Sequence, residues 1–342
     1  MTDTPARPAP PPSPGGGRLL DVSDLHVEFR TDYGVVHAVN GIDFTLDEGE
    51  TLAILGESGS GKSVTAQAIM GIIDSPPGFV TQGCVAYRGE DLLRLPEKRR
   101  RSLRGERIAM VFQDALTSLN PVFRVGWQIA EMYRVHHGTS KSEARQAAIE
   151  LMERVRIPSA RERVDAYPHH FSGGMRQRVM IAMALALDPD ILIADEPTTA
   201  LDVTVQAQIM DLLEDLQAEN RMGLVLITHD LGVVADVSDR VAVMYAGRIV
   251  ETGVVHDVYH RPAHPYTLGL MHSIPRVDQK DGALDPIKGA PPNLAAIPPG
   301  CAFHPRCPFV RDRCTTDEPP LYDVGAGRRS ACHYWREVLD AS

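Results

Sequence analysis

The feature that most constrains this 342-residue chain is the octapeptide at positions 56–63, GESGSGKS. It has the form G-x-x-x-x-G-K-[ST], which is typical of a phosphate-binding loop. The apolar residues 51–55 before it predict a buried strand, and residues 64–73 after it predict a helix. Glycine lets the backbone turn tightly and approach a phosphate closely, and the N–H groups at a helix start attract an anion. The flanking strand and helix argue against the alternative, a glycine-rich turn with a stray lysine.

The same loop supplies the charged and hydroxyl groups of the predicted site. Lys62 can reach the β- and γ-phosphates of a nucleotide, and the Ser63 hydroxyl can ligate Mg²⁺. The predicted phosphate-binding residues are Gly56, Ser58, Gly59, Ser60, Gly61, Lys62 and Ser63.

Composition and charge exclude several classes of protein. The apolar content of 43% and the charged content of 23% are ordinary for one large or two modest globular domains. A net charge of −10 disfavours nucleic acid as a partner and leaves docking to a protein as the route to a membrane. No apolar run is long enough to span a bilayer, and the N-terminus lacks the apolar core of a signal peptide. Five cysteines without an export signal argue against a disulfide framework, so we expect a cytoplasmic chain.

The first part of the chain predicts a disordered arm followed by β structure. Residues 1–17 are rich in Pro, Ala and Gly and cannot bury enough apolar surface to offset their ordering entropy. Alternating apolar residues at 20–29 predict an edge strand, and residues 35–39 and 42–46 predict a hairpin. Tyr33 lies on the intervening turn, where it is placed equally well to stack on an adenine or to pack on the sheet edge.

Two adjacent carboxylates follow the buried strand predicted for residues 191–194. Carboxylates at the end of a buried strand are costly unless a metal or a substrate pairs with them. Asp195 fits the role of organising Mg²⁺, and Glu196 fits a general base that orients an attacking water. The alternative is a strand end capped by two solvated acids, and the phosphate-binding loop in the same chain argues against it.

Gln113 and His229 also lie at predicted strand ends, after residues 107–112 and 224–227. Ligands of α/β proteins bind at the carboxyl ends of strands. Gln113 can therefore reach the metal or the attacking water, and His229 can contact the γ-phosphate. Each residue also has an ordinary interpretation, as a strand-end amide and as a histidine that caps the next helix. For Gln113, position alone favours the ordinary interpretation.

The rest of the chain up to the last strands alternates between helices and strands. Residues 121–168 are predicted to be a mostly helical insertion. Ser172, Gly173 and Gly174 then open a helix whose start suits phosphate binding, although Ser-Gly-Gly alone is a weak signal. Asp202 lies on a turn into the next predicted helix. This order predicts an α/β nucleotide-binding domain.

Together these motifs resemble the ATP-binding subunits of ABC transporters over about residues 19–253. The resemblance implies a P-loop domain at 18–256 with a RecA-like core, an antiparallel β subdomain and a helical subdomain at about 121–185. It also implies ATP hydrolysis with ATP and Mg²⁺ as cofactors. The remaining residues, 257–342, form a C-terminal extension that contains several cysteines.

The resemblance assigns a role to each motif. The matching positions are Tyr33 for the aromatic that stacks on adenine, 56–63 for the Walker A motif, Gln113 for the Q-loop glutamine that contacts Mg²⁺, 172–175 for the signature motif, 191–195 for the Walker B motif, Glu196 for the catalytic carboxylate, Asp202 for the D-loop residue and His229 for the switch histidine.

The family forms head-to-tail dimers, which the resemblance extends to this chain. Ser172, Gly173 and Gly174 of one subunit would then bind nucleotide held by the phosphate loop of the other. The usual signature motif has Gln where this chain has Met175. Because the substitution leaves the backbone donors in place, we expect function to be retained.

The extension is similar to that of oligopeptide and dipeptide importer ATPases. The similarity lies in HPYT at 264–267, GAPP at 289–292, CAFHPRCP at 301–308 and, before them, SLNP at 118–121. It implies that the chain lies at the cytoplasmic face of the inner membrane and drives peptide import. The implied partners are two permease subunits, an external substrate-binding protein and a second ATPase. The second ATPase would be a paralogue, so the ATPase pair would be a heterodimer. Import of nickel or an oligosaccharide is an alternative. A soluble ABC ATPase of translation or DNA repair is disfavoured, since the chain has one cassette and a short insertion.

Four cysteines, Cys301, Cys307, Cys314 and Cys332, lie in this extension, and Cys84 lies in a predicted strand as a buried small apolar residue. A tail rich in Pro and Gly needs a staple to hold a shape. Four thiolates can ligate an iron–sulfur cluster or a structural zinc, and the spacing C-x5-C-x6-C-x17-C matches neither usual pattern. Resemblance to the peptide-importer branch favours a structural [4Fe–4S] cluster, with Zn²⁺ or free thiols as alternatives.

Overall fold

A computed structural model of the chain describes residues 17–114, 118–199, 201–273 and 287–341. The predicted disordered arm, 1–17, lies outside the described residues except for Gly17. Within the described ranges, no helix combines the length and the apolar character that a membrane crossing requires.

Twelve strands are present in the described residues. They are β1 Arg18–Thr31, β2 Gly34–Asp47, β3 Thr51–Leu55, β4 Gly78–Tyr87, β5 Glu90–Asp91, β6 Ile108–Val111, β7 Ile191–Asp195, β8 Gly223–Thr228, β9 Arg240–Tyr245, β10 Arg248–Val254, β11 Tyr322–Gly325 and β12 Arg328–Ser330.

The described α-helices belong to both the P-loop domain, 18–256, and the extension, 257–342. They are α1 Lys62–Met70, α2 Glu97–Leu103, α3 Val125–His137, α4 Lys141–Arg154, α5 Ala160–Arg163, α6 Gly173–Leu185, α7 Val203–Asn220, α8 Leu231–Val237, α9 Val255–His260, α10 Pro265–His272, α11 Asp312–Thr316 and α12 Trp335–Ala341.

The larger sheet has the strand order β11-β12-β10-β9-β3-β8-β7-β6. The five strands from β9 to β6 are parallel to one another, and β10, β12 and β11 add antiparallel pairs at the other side. Strands buried on both faces are expected to be continuously apolar, and β3, β6 and β8 are buried along their whole length. Because β3, β6, β7 and β8 run parallel, their carboxyl ends meet at one edge of the sheet.

The smaller sheet is antiparallel, with the order β2-β1-β4-β5, and it corrects two of our predictions. The predicted edge strand, β1, lies inside the sheet between β2 and β4. The predicted hairpin is instead the single long strand β2. Asn40-Gly41 resembles a hairpin turn, but Gly41, with φ of +70°, is left out of the pairing with β1, so Leu25 pairs with Ile42 and His26 with Asn40. A β-bulge of this kind absorbs the turn signal without reversing the chain.

Two apolar cores lie on opposite faces of the large sheet. One is shared with α1 and the small sheet and includes Ile193 of β7. The other core is shared with the helices from α3 to α7 and includes Leu192, the residue before Ile193 in β7. Successive strand residues point to opposite faces, so one short strand contributes to both cores. The helical insertion predicted for 121–168 is thereby fixed against the strands that carry the polar strand ends.

The extension joins the cassette through the sheet and through a buried carboxylate. β12 pairs antiparallel with β10, with Glu251 opposite Ser330. Glu251 is fully buried, with 0% of its surface exposed. Its carboxylate accepts hydrogen bonds from the backbone N–H of Ala263 at 2.7 Å and of His264 at 3.0 Å, and from the Arg328 guanidinium at 3.2 Å. Burial raises the pKa of Glu251, and the hydrogen bonds from the Ala263 N–H and Arg328 oppose that rise.

We expect Arg328→Met to destabilise the fold by about 3 kcal/mol, because it leaves a buried charge without its partner. The free energy of unfolding in urea measures this loss. Arg248→Met is the matched control, since Arg248 forms a solvent-exposed ion pair with Glu318, worth about 1 kcal/mol or less. A loss no larger than that of the control would contradict the assignment.

The pH dependence of the stability lost in Arg328→Met provides a second test, and its direction can be predicted. Burial raises the pKa of Glu251 in the folded protein, and Arg328 opposes that rise, so removing Arg328 raises this pKa further. The contribution of Glu251 to stability falls as pH rises through the folded pKa, and it falls more steeply without Arg328. The Arg328→Met deficit should therefore shrink as pH is lowered from neutrality. A deficit independent of pH would show that lost packing, not charge, causes the effect.

Candidate active site

The phosphate loop joins β3 to α1, as the motif predicts, and its glycines are required by close contacts as well as by backbone angles. Gly59 and Gly61 have φ of +78° and +104°. A Cβ on Gly56 would lie 2.3 Å from the Met244 carbonyl oxygen, and one on Gly61 would lie 2.4 Å from the Ala38 carbonyl oxygen. The loop is therefore wedged between β9 and β2, and a side chain at either position would displace it.

Lys62 is buried, and it folds back over the loop from which it projects. Its Nζ donates to the carbonyl oxygens of Gly56 at 2.7 Å and Glu57 at 3.0 Å. Burial lowers its pKa, while the carboxylates of Glu196, Asp195 and Glu57 oppose that shift. A buried ammonium group surrounded by carbonyl oxygens is suited to exchange these partners for phosphate oxygens.

Ser63 and Asp195 are joined across the sheet, although β8 separates the strands from which they extend. The Ser63 hydroxyl donates to Asp195 Oδ1 at 3.0 Å. Asp195 is buried at the end of β7, and burial raises its pKa while the Ser63 hydrogen bond opposes the rise. A hydroxyl and a buried carboxylate in contact are oxygen ligands that suit Mg²⁺, so the pair fits the predicted metal position.

Glu196 is the meeting point of the other predicted catalytic residues. Gln113 Nε2 donates to Glu196 Oε2 at 2.8 Å, and His229 Nδ1 lies 3.3 Å from Glu196 Oε1. Glu196 has φ of +46°, and its N–H donates to the Ile227 carbonyl oxygen at 2.8 Å. The structure thus brings Gln113, Glu196 and His229 together. In the parts of the chain it describes, no hydrogen bond joins Gln113 to Ser63 or Asp195, the other predicted Mg²⁺ ligands.

Thr199 belongs to this group and was missed by sequence reasoning. Its hydroxyl donates to Glu196 Oε2 at 2.9 Å, on the same carboxylate oxygen that Gln113 contacts. The available signal was its spacing three residues after Glu196 in a turn, where Thr commonly bonds to a neighbour. Thr199 and Gln113 together fix the direction in which the carboxylate points.

The remaining nucleotide-binding candidates lie outside this cluster. Tyr33 is 99% exposed on the turn between β1 and β2, so it does not pack on the sheet edge. Ser172 caps α6 by accepting from the Met175 N–H at 3.3 Å, and Asp202 caps α7 by accepting from the Val205 N–H at 2.9 Å.

The signature segment does not reach the phosphate loop of its own chain in the residues described. A Cβ on Gly173 would meet Leu201, and one on Gly174 would lie 2.6 Å from the Val205 side chain. Ser172 and Gly173 are exposed to solvent. Two of the three predicted nucleotide contacts, Ser172 and Gly173, therefore face solvent, and Gly174 is half-buried against Val205.

The four cysteines of the extension line one small cavity, with Phe303, Phe309 and Tyr334 among its other residues. Burial raises the pKa of the Cys301 thiol, and raises the pKa of Cys307 and Cys332 to about 12. Even so, no group of three or more His, Cys, Asp or Glu side chains is arranged as a metal site within 17–114, 118–199, 201–273 and 287–341. The geometry brings the predicted ligands together and gives no further support to an iron–sulfur cluster. Cys84, predicted to be buried, is only half-buried.

This geometry defines a class of protein: a P-loop enzyme that binds a nucleoside triphosphate and holds a carboxylate beside it. Comparison with known families makes the class specific. Residues 39–199 match the ABC transporter family, and residues 250–314 match the C-terminal region of oligopeptide/dipeptide transporters.

Similar proteins cover nearly the whole chain. The oligopeptide transport ATP-binding protein OppD of Salmonella typhimurium is 52% identical over 92% of this chain and 93% of its own length. The dipeptide transport ATP-binding protein DppD of Escherichia coli is 51% identical over 92% of this chain and 96% of its own. The dimeric structure of MJ0796, a bacterial ABC transporter cassette, is 27% identical and matches with a TM-score of 0.62 over 69% of this chain and 99% of that one.

The chain therefore belongs to the ATP-binding subunits of ABC transporters, in the branch that carries the oligopeptide/dipeptide-type C-terminal region. The family resemblance and the α/β P-loop fold predicted from the sequence are confirmed, and the protein is an ATPase.

We expect Glu196→Gln to bind Mg-ATP with unchanged affinity and to hydrolyse it about 10²- to 10⁴-fold more slowly, because an amide cannot take up a proton from water. Phosphate release under saturating ATP measures turnover, and equilibrium binding measures affinity. Thr199→Val should give a smaller loss, since it leaves the carboxylate and removes one of its donors. Glu219→Gln, on an exposed surface, is the control. Near-normal turnover in Glu196→Gln would remove Glu196 from the role of general base.

Proposed function

We propose that the chain is the ATP-hydrolysing subunit of a membrane importer that takes up peptides. The observation that carries the proposal is the combination, in one chain, of Gln113, Thr199 and His229 in contact with Glu196 and a C-terminal region of the oligopeptide/dipeptide type. The relatives' names, peptide import and oligopeptide or dipeptide transport, support peptides as the cargo. The chain itself does not contact cargo in such a system.

The chain's own residues carry out the reaction by positioning. Ser63, Asp195 and Gln113 would hold Mg²⁺, which would neutralise charge on the phosphates. Lys62 and the loop N–H groups hold the phosphates. Glu196 orients the attacking water and accepts its proton, while the hydrogen bonds from Gln113 and Thr199 keep that carboxylate aimed at the site.

His229 contacts Oε1, the other carboxylate oxygen of Glu196, and 61% of its side-chain surface is accessible to solvent. In the proposed mechanism it senses the γ-phosphate, because it follows the carboxyl end of β8 and its side chain is open to solvent at the edge of the sheet where the phosphate loop lies. No covalent intermediate is formed, and the barrier is lowered by alignment and charge stabilisation.

A second ATPase subunit completes the proposed site. Ser172 and Gly173 are exposed to solvent, and the start of α6, which they form together with Gly174, suits an anion held by a partner. The dimeric cassette among the similar structures supports this arrangement. We propose a head-to-tail pair with a paralogous subunit, in which Tyr33 stacks on the adenine and Asp202 lies at the junction.

The proposed complex contains two permease subunits and an external substrate-binding protein, with the ATPase pair at the cytoplasmic face of the inner membrane. A net charge of −10 favours docking to the permease over direct binding to an anionic lipid surface.

Affinity purification of the tagged chain from detergent-solubilised membranes tests this proposal, with mass spectrometry as the readout. We expect two permease subunits and a second ATPase to co-purify, and uptake of labelled peptides to be lost in Glu196→Gln cells. Co-purification with ribosomes or repair factors and no permease would reject the importer. Retained peptide uptake with lost nickel or oligosaccharide uptake would change the cargo alone.

We further propose that Cys301, Cys307, Cys314 and Cys332 hold a [4Fe–4S] cluster of structural role. Their convergence on one cavity with apolar walls supports a closed site. Their raised thiol pKa values are the result expected of buried thiols with no metal charge nearby, and a bound metal would favour the thiolate instead. The cluster would add covalent links between segments that hydrogen bonds, such as that from the Cys301 N–H to the Cys314 carbonyl oxygen at 2.9 Å, already join.

We expect anaerobically purified protein to be brown, to show a broad visible absorbance and to contain iron and acid-labile sulfide. Cys307→Ser should abolish the absorbance and lower thermal stability, whereas Cys84→Ser, which changes a cysteine of β4, should do neither. Stoichiometric zinc without iron would replace the cluster by a zinc site, and absence of both metals would leave free thiols.

A further inference from the structure

An arginine of the extension forms a two-point ion pair with the phosphate loop. Arg306 lies between Phe303 and Cys307, and Glu57 is the second residue of the loop. Arg306 Nη1 donates to Glu57 Oε2 at 2.7 Å, and Arg306 Nη2 donates to Glu57 Oε1 at 3.0 Å. The Arg306 side chain is only 6% exposed and that of Glu57 is 25% exposed. Charged hydrogen bonds in this paired geometry are among the strongest in proteins.

The surroundings of Arg306 hold it in place for this contact. Its Nε donates to the Lys288 carbonyl oxygen at 3.1 Å, and its guanidinium carbon lies 5.8 Å from the Tyr245 ring centre and 6.0 Å from that of Phe303. An arginine fixed before it meets its partner loses little side-chain entropy on pairing. The extension therefore presents a preorganised cation to the loop.

A second residue of the C-terminal region holds the backbone of the same loop position. The N–H of Glu57 donates to the Tyr266 hydroxyl oxygen at 2.9 Å, and Tyr266 is fully buried on α10. The Glu57 carbonyl oxygen, in turn, accepts from Lys62 Nζ. Glu57 is thus held through its N–H, its carbonyl oxygen and its carboxylate, and two of these three anchors come from residues beyond the last parallel strand.

The charge of Glu57 makes the pairing functional as well as structural. A carboxylate on a loop that binds a polyphosphate repels the ligand unless a cation compensates it. Arg306 is the residue that forms an ion pair with Glu57 among those the structure describes. The loop therefore depends on the extension for its electrostatic balance.

We propose that the extension completes the nucleotide site: Arg306 neutralises Glu57 and, together with Tyr266, positions the phosphate loop for ATP. Arg306 is a positioning residue, since it acts on the nucleotide through Glu57. The proposal rests on the ATP site and is independent of the transported cargo, so measurements of nucleotide binding can fail or succeed without affecting the importer proposal.

The competing interpretation is that the ion pair only attaches the extension to the cassette. The two interpretations differ for Glu57→Gln. If the pair is a structural attachment, Glu57→Gln and Arg306→Met break the same contact and have the same effect. If Arg306 neutralises Glu57, the two substitutions act in opposite directions on ATP, because one removes a negative charge and the other removes a positive one.

The test is calorimetric titration of the full chain with Mg-ATP and with Mg-ADP. We expect Arg306→Met to weaken Mg-ATP binding roughly tenfold, the effect of one nearby uncompensated charge, and to weaken Mg-ADP binding less, since ADP carries less charge. Glu57→Gln should bind Mg-ATP at least as tightly as the unmodified chain. The double variant should regain most of the lost affinity. Arg313→Met, which breaks an exposed pair with Asp317 in the same extension, should change nothing.

Three results would overturn the proposal: unchanged ATP affinity in Arg306→Met, equal losses in Glu57→Gln and Arg306→Met, or no recovery in the double variant. Arg306→Lys keeps the charge without the two-point geometry and should raise KM for ATP by only a few-fold with kcat unchanged. If Arg306→Met does not fold, the double variant, which has no unpaired charge, and Arg306→Lys decide between the interpretations through the same titrations.

Discussion

The parallel register of β3, β8, β7 and β6 is the constraint on which the active site depends. It places the phosphate loop and three polar strand ends at one edge of the sheet, and it allows the Ser63–Asp195 hydrogen bond to form across an intervening strand. Because side chains alternate between the two faces of a strand, a shift of β7 by one residue would turn Asp195 away from Ser63. The division of roles between the two adjacent carboxylates is therefore a property of strand pairing, fixed by the apolar cores on both faces.

Much of the site could be predicted because its signals are local. The phosphate loop has a defined spacing, and a buried parallel strand is a continuous apolar run whose polar end lies where ligands bind. Position at a strand end made Gln113, Glu196 and His229 candidates, although for Gln113 position alone favours an ordinary strand-end amide and only the family resemblance assigns it a role. The small sheet was predicted less well, since Asn40-Gly41 has the composition of a turn and serves as a bulge. Whether such a pair reverses the chain depends on the partner strand, which local sequence does not reveal.

Contacts between distant segments could not be predicted. Arg306 and Glu57 are 249 positions apart, and Arg306 stands in a sequence with no charge pattern that would distinguish it from its neighbours. Glu251 likewise looks like an ordinary polar residue of a strand, and only the return of β12 makes it a buried carboxylate. The four cysteines of the extension are the exception, since their grouping in one segment allowed us to predict that they converge, as they do on one cavity. For Arg306 and Glu251 the information lies in how the extension folds back on the cassette.

The pairing of β12 with β10 has a consequence for the cassette as a separable unit. A strand at the edge of a sheet presents unpaired N–H and C=O groups that can template pairing with another chain. In this protein the extension covers that side of β10 along Glu251 and Thr252, and the strands that follow it, β12 and β11, are only three and four residues long. The extension thus covers an edge through which the ATP-binding domain could otherwise self-associate. Truncating the chain after β10 would remove the extension and also expose the unpaired backbone groups of β10.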